Sequence, residues 1–277
     1  MKMLCGCLLL AGAVFSFAQT RPTITAPPGG LVRWTAPGTT RCQMAGRTWP
    51  ALGETCYYPV DIEHRTAKIL VARWRASHRE LADISVEPYD YGTQEIELPD
   101  IPQAHPSAAD LRRDARDRLL LSRVFTHREG PAEFTLPLGN PAKPLPEGKS
   151  FGVKRIFNGK PAPSPHMGID FPVPIESPVL AVADGTVVVA RDLFFEGNAV
   201  IVDHGDGLMS EYFHLSRIDV QVGQKVRKGH TLGRVGSTGR ATGPHLFFGI
   251  RWHDARIDPA FLLGDPEKIP SLPNETY

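Results

Sequence analysis

The chain has 277 residues, enough for one large or two modest domains that each bury a core. Lys and Arg number 31 against 30 Asp and Glu, a net charge of +1. No global field therefore points to nucleic acid or an anionic membrane as partner. The 26 Gly and 26 Pro point to many turns between short strands rather than to long helices.

The chain opens Met1-Lys2 and runs apolar from Met3 to Phe17, with Ser16 and Ala18 placed as the small residues of a signal-peptidase site. Residues 1–18 are expected to be a cleaved export signal. No later apolar run reaches about 18 residues, so no integral membrane segment is expected after cleavage. Cys5 and Cys7 would leave with the signal, and Cys7 has the wrong predecessors for a lipoprotein anchor. Cys42 and Cys56 then remain as one pair in an oxidising compartment, where they are expected to form a disulfide.

Residues 19–100 read as an accessory β domain, a small antiparallel sandwich or barrel. Its expected strands are Gly30–Trp34, Ala67–Trp74 and Gln94–Leu98, separated by Pro and Gly turns. His64 and His78 sit among charges and read as surface residues. Residues 101–130 form a linker and the one strong helix. Ser107 is its N-cap and Asp110 complements its N-terminus, and Gly130-Pro131 ends it. Leu111, Ala115, Leu119 and Val124 approximate an apolar stripe, with Asp114 and Arg118 paired on the other side. The helix is expected to pack as a connector between domains.

Residues 131–265 read as an all-β domain of antiparallel hairpins, followed by a tail at 266–277. Strand-like runs are Phe134–Leu138, Phe151–Gly159, Val179–Ala183, Thr186–Ala190, Ala199–Val202, Leu208–Leu215, His245–Trp252 and Arg256–Asp258. Asp184-Gly185 is a strong hairpin turn.

Two segments carry the chemistry and suit a shared zinc ion. His166 and Asp170 lie four apart, a separation of roughly 13 Å in an extended chain, whereas a metal bond is ~2 Å long. The chain must bend between them; Gly168 permits the bend, and Pro165 and Pro172 argue against an ordinary helix. Downstream, residues 245 and 247 share one face of a strand. Position 245 is His, but position 247 is Phe.

The ordered series His166-x-x-x-Asp170, Tyr212-Phe213-His214-Leu215-Ser216, Gly223 to Gly229, Gly236-Ser237-Thr238-Gly239 and Thr242-Gly243-Pro244-His245-Leu246 resembles the lysostaphin/LytM-type zinc metallopeptidases. The resemblance runs from about Phe134 to Leu263. It implies a LytM-like antiparallel β-sheet domain with a metal-floored groove, exported and cleaving peptide cross-links in peptidoglycan. An accessory β domain ahead of it is common in such proteins. By position, His166 and Asp170 match two of three zinc ligands, and His214 and His245 match the histidines that handle the attacking water and the oxyanion.

The family pattern has His at both 245 and 247, and the second is the third ligand. Phe247 has no lone pair to donate. His253 lies about 20 Å along an extended strand and cannot replace it; His204 reads as structural; Met167 is no natural substitute for imidazole. His245 or His214 could itself become the ligand in a shifted site. Two readings follow. One is a peptidoglycan-directed protein with impaired or lost hydrolysis, binding wall peptides or regulating another cell-wall hydrolase. The other is a working zinc endopeptidase with a relocated ligand. Either is expected in the periplasm or cell envelope rather than fully secreted, with no nucleic-acid partner.

Overall fold

The computed structural model describes residues 21–126 and 130–274. The expected export signal, with Cys5 and Cys7, lies outside the described residues. The molecule is mainly β, with a nine-stranded antiparallel sheet at its centre. Its main path runs Gly168–Phe171, Leu246–Trp252, Leu208–Ile218, Gly197–Asp203, Gly185–Leu193 and Lys225–Val226. Pro178–Leu180, Thr231–Val235 and Ala255–Ile257 pair off that path. The expected strand at Phe134–Leu138 does not form. This Pro-broken run is irregular, though Phe134 and Leu138 are buried in the core.

Period-two alternation gives the sheet two faces. Val200, Val202, Tyr212, Leu246, Phe248 and Ile250 point into the main core, whereas Ile201, Met209, Phe213 and Phe247 form a cluster on the opposite face. The helix Ala108–Thr126 lies against this second face through Leu120, Leu121, Val124 and Phe125. Its start is a reciprocal capping box: Ser107 Oγ accepts from the Asp110 amide (3.2 Å), and Asp110 accepts from the Ser107 amide (3.0 Å).

The expected apolar stripe is rotated. Leu111, Ala115 and Leu119 are exposed, and the buried positions of the first turns are Asp114 and Asp117. The inward acids are partnered. Asp117 accepts from the Phe194 amide (2.9 Å), and Asp114 pairs with Arg118 (2.8 Å) as expected from their spacing. Hydrophobic periodicity misplaced the face because backbone hydrogen bonding, not apolar burial, holds this end of the helix.

Ahead of the helix, Thr23–Ala26, His78–Val86, Lys68–Arg75, Thr39–Met44 and Arg47–Pro50 form a five-stranded sheet, and Leu31–Thr35 pairs with Thr55–Pro59. The pairing of Thr23–Ala26 with His78–Val86 is parallel, a departure from the antiparallel expectation. The third expected strand leaves this unit. Thr93–Ile96 runs parallel to Lys154–Phe157, which pairs in turn with Lys160–Pro161. Cys42 and Cys56 form the expected disulfide, with Cα atoms 5.5 Å apart, joining the five-stranded sheet to the two-stranded one. Closing a loop of about 15 residues contributes roughly 3 kcal/mol in the chain-entropy model.

The N-terminal sheets share a core with the large sheet. Leu31, Tyr57 and Ile62 belong to the main hydrophobic cluster, Tyr57 packs on Trp252 (5.3 Å), and Arg256 binds Asp61 (3.1 Å). Beyond the short helix Ala260–Leu263, the segment expected as a tail docks on the N-terminal sheets. The Arg33 amide donates to Pro270 (2.9 Å), and Leu272 is buried in their core.

Candidate active site

Cross-strand register assembles the site on the face that carries Phe213 and Phe247. Asp170 lies opposite Phe247, and Phe247 opposite Phe213. Gly168 does not make the bend expected of it, because it already stands in the strand Gly168–Phe171. Its small size serves close packing instead: a Cβ there would lie 2.5 Å from the Phe248 carbonyl and 2.6 Å from the Phe247 ring. The bend comes earlier, at Pro163 and Ser164, and the His166 amide beyond it donates to Val153 (2.9 Å).

His214 reaches the site through a β-bulge. Tyr212 and Leu215, three apart, both face the main core, so one extra residue is inserted between them. The register shifts there, and His214 adopts φ +64°. Its amide donates to the Glu196 carbonyl (2.9 Å).

The four expected polar residues come together. The Oδ1 atom of Asp170 lies 3.3 Å from His166 Nε2 and 3.6 Å from His245 Nε2, and the His214 and His245 rings are 4.8 Å apart between centroids. Each imidazole is oriented through Nδ1 by a backbone carbonyl: Ser150 for His166 (2.9 Å), Thr238 for His214 (2.8 Å) and Gly243 for His245 (2.9 Å). The Nε2 atoms of His166 and His245 are thereby turned toward Asp170. Burial lowers the His214 pKa to about 3, with the neighbouring His245 adding to the effect, so His214 is a neutral acceptor.

Asp170 is held in a contrary balance. Burial pushes its pKa up, but the hydrogen bond and charge of His166, with Arg155 and His245, keep the carboxyl well below its usual range. Its second oxygen is bound directly by the Arg155 guanidinium. Arg155 was missed by the sequence reading. The available signal was a basic residue in the strand-like run Phe151–Gly159, close before His166.

Phe247, at the position that the resemblance gives to a third ligand, offers only carbon. Its ring is buried, stacks on Phe213 (4.7 Å, 4° between planes), and meets His166 edge-on (5.3 Å). A family zinc does not fit this donor set. Among the described residues no group of three or more His, Cys, Asp or Glu is placed to hold a metal ion. His253 is no replacement, since it stacks on Trp49 (4.1 Å) beyond the strand.

His204 is structural, as expected. It is fully buried, and its nitrogens are taken by the Asp184 carbonyl (2.6 Å) and Ser210 Oγ (2.7 Å). Burial lowers its pKa from 6.5 to about 4. The unfolded chain therefore binds a proton that the folded chain refuses, and stability present above pH 6.5 is lost as pH falls toward about 4. A His204→Gln variant is expected to lose less stability across that window than the parent, read from urea midpoints at successive pH values. Parallel profiles would contradict the assignment.

Residues 164–259 match the family model described as peptidase family M23. That segment is a peptidase family M23 domain. A peptidoglycan DD-endopeptidase, ShyA of Vibrio cholerae, is 43% identical over 99 residues, covering 36% of this chain and 23% of that protein. The DD-carboxypeptidase/endopeptidase Mpg of Neisseria meningitidis is 42% identical over 103 residues, covering 37% of this chain and 24% of Mpg. The chain thus spans about a quarter of the length of the curated relatives it matches. A crystal structure of a candidate peptidase M23 from Pseudomonas aeruginosa superimposes with a TM-score of 0.64 at 29% identity, over 86% of this chain and 94% of that one. The M23 domain contains His166, Asp170, His214, His245 and Phe247, whereas Arg155 and Ser150 precede the matched segment.

Proposed function

We propose that this chain is an exported, peptidoglycan-directed protein whose M23 domain holds wall peptides with little or no hydrolysis, acting as a binding or hydrolase-regulating module. The observation that carries this reading is the Phe247 ring in the third ligand position, with the Asp170 charge met by Arg155. A metal held by His166 and Asp170 alone would be weak, because losing even an outer-shell partner costs roughly 10 to 100-fold in affinity. The wall as target is supported by the relatives, two of which carry names of peptidoglycan or DD-peptide enzymes. Export to the periplasm or cell envelope, and the division into 1–18, 19–100, 101–130, 131–265 and 266–277, belong to the same reading. No helix among the described residues is long and apolar enough to cross a membrane.

A second reading, a zinc endopeptidase with His245 recruited as ligand, draws on one observation. The spacings of 3.3 and 3.6 Å from Asp170 Oδ1 to two Nε2 atoms resemble the edge of a zinc tetrahedron, about 3.3 Å for bonds of about 2.05 Å. One experiment separates the two. Purified mature protein is pelleted with isolated sacculi and incubated with cross-linked muropeptides, with and without chelator. The binding reading expects pelleting without cleavage, and pelleting retained in His166→Ala. Chelator-sensitive cleavage would establish the enzyme instead, and failure to pellet would reject the wall as target.

A further inference from the structure

The loop between Val235 and His245 is built onto the Phe195–Gly197 turn. Thr238 Oγ1 accepts from the Asn198 amide (3.0 Å) and donates to the Leu215 carbonyl (2.7 Å), and the Arg240 amide donates to Phe195 (2.8 Å). A Cβ at Gly239 would lie 2.4 Å from the Gly197 amide, so the loop sits as close as backbone allows. The same loop orients His214 through the Thr238 carbonyl and leads directly into His245. Arg240 therefore stands on a fixed part of the site.

Its guanidinium lies between two rings, 4.4 Å from the Phe157 centroid and 4.7 Å from that of Phe195. Phe157 is two residues beyond Arg155 in one strand, so both point to one side, about 7 Å apart along the chain. This sets Arg240 beside the Arg155–Asp170 pair. Arg155 is occupied by Asp170, and Arg118 by Asp114. Arg240 has no hydrogen bond or ion pair to its guanidinium among the described residues, and its nitrogens are not sealed from solvent. Burial lowers the Arg240 pKa, and Glu196 is the acid that most opposes this, yet no ion pair forms between them; burial raises the Glu196 pKa and weakens it as a standing partner.

A guanidinium stacked between two aromatic rings has its plane fixed and its edge free, which is the geometry that receives a carboxylate through paired N–H donors. We propose that Arg240, clamped by Phe157 and Phe195, is the subsite that binds a carboxylate of the peptide lying in the M23 groove. This rests on the wall-peptide reading above and adds to it a residue that selects acidic or free-ended peptides. The carboxylate comes from a peptide C-terminus or from an acidic side chain.

The test uses the full mature chain and three probes followed by NMR titration: N-acetyl-D-alanyl-D-alanine, the same dipeptide amidated at its C-terminus, and an amidated peptide with one internal D-glutamate. Removing a charge-assisted hydrogen bond typically weakens binding by about tenfold or more. The native chain is expected to prefer a carboxylate probe over the plain amide by about that factor, and Arg240→Gln to abolish the preference. Preference for the first probe identifies the terminal carboxylate, and for the third the side-chain one. An Arg240→Gln variant that keeps its near-UV circular dichroism and its preference overturns the inference, as does a native chain with no preference. Should Arg240→Gln fail to fold, Arg240→Lys decides, since lysine keeps the charge but not the paired donors: reduced preference supports the subsite, and unchanged preference rejects it. Sacculus pelleting of the native chain is run alongside. Pelleting without any Arg240-dependent preference removes this inference alone, whereas no pelleting removes the wall-peptide reading beneath it.

Discussion

Truncating Phe247 to alanine is expected to destabilise the protein by about 3–5 kcal/mol, the range for emptying a buried phenylalanine site. A metal-ligand position in a metal-free protein would not carry such a cost. The ring is buried at 7% exposure, stacks on Phe213, meets His166 and His214 edge-on, and shares a cluster with the residues beneath the helix Ala108–Thr126. Gly168 lacks a Cβ where that atom would strike the ring, so the neighbouring strand is shaped around it. Collapse into the space is resisted on both sides by strands of one sheet. Urea unfolding of the two proteins checks the prediction, and a loss below about 1 kcal/mol would show that the ring is not part of the core.

Replacing Glu80 by alanine is expected to cost a similar 3–5 kcal/mol, for an electrostatic reason. Arg73 is 1% exposed in the N-terminal sheet, packed over the Trp34 ring at 4.0 Å, and its charge is met by Glu80 at 2.6 Å. Arg75 also reaches Glu80 (3.1 Å), but it is partly exposed and can turn to water. Without Glu80 a buried guanidinium is left uncompensated, and breaking such a pair by removing one partner is far costlier than replacing both. The double variant Arg73→Met, Glu80→Leu is therefore expected to recover most of the loss. A double variant as unstable as Glu80→Ala would contradict the argument.

The chemistry-bearing residues were more legible than the packing. His166, Asp170, His214 and His245 were readable because each sits in a short motif, and several motifs in one order constrain the fold; the structure brings all four into one cluster. The β class, the disulfide and the helix N-cap were legible for local reasons: turn residues, cysteine count, and a Ser directly before the helical run. The rotated helix face was not, because Asp117 is drawn inward by the Phe194 amide, a partner 77 residues away. Nor was the parallel pairing of Thr93–Ile96 with Lys154–Phe157, since parallel partners leave no turn between them to read. Arg155 and Arg240 share that difficulty, as the groups they touch lie on other segments of the chain.

Phe247 shows both sides of the problem. The sequence has a phenylalanine where the resemblance expects an imidazole, and the packing shows its setting: a ring joined to the apolar cluster on its own face of the sheet, with Arg155 balancing Asp170. On the reading proposed above, the site is completed without a third metal donor.

Calorimetric titration of zinc into metal-free mature protein, beside a Phe247→His variant prepared identically, tests that conclusion most directly. The native chain is expected to bind zinc at least 100-fold more weakly than the variant, since an imidazole bonded directly to the metal outweighs the roughly 10 to 100-fold effect of a residue that only orients a ligand. Equal, tight, one-to-one binding by both proteins would contradict it and show that another side chain of the native protein completes the metal site.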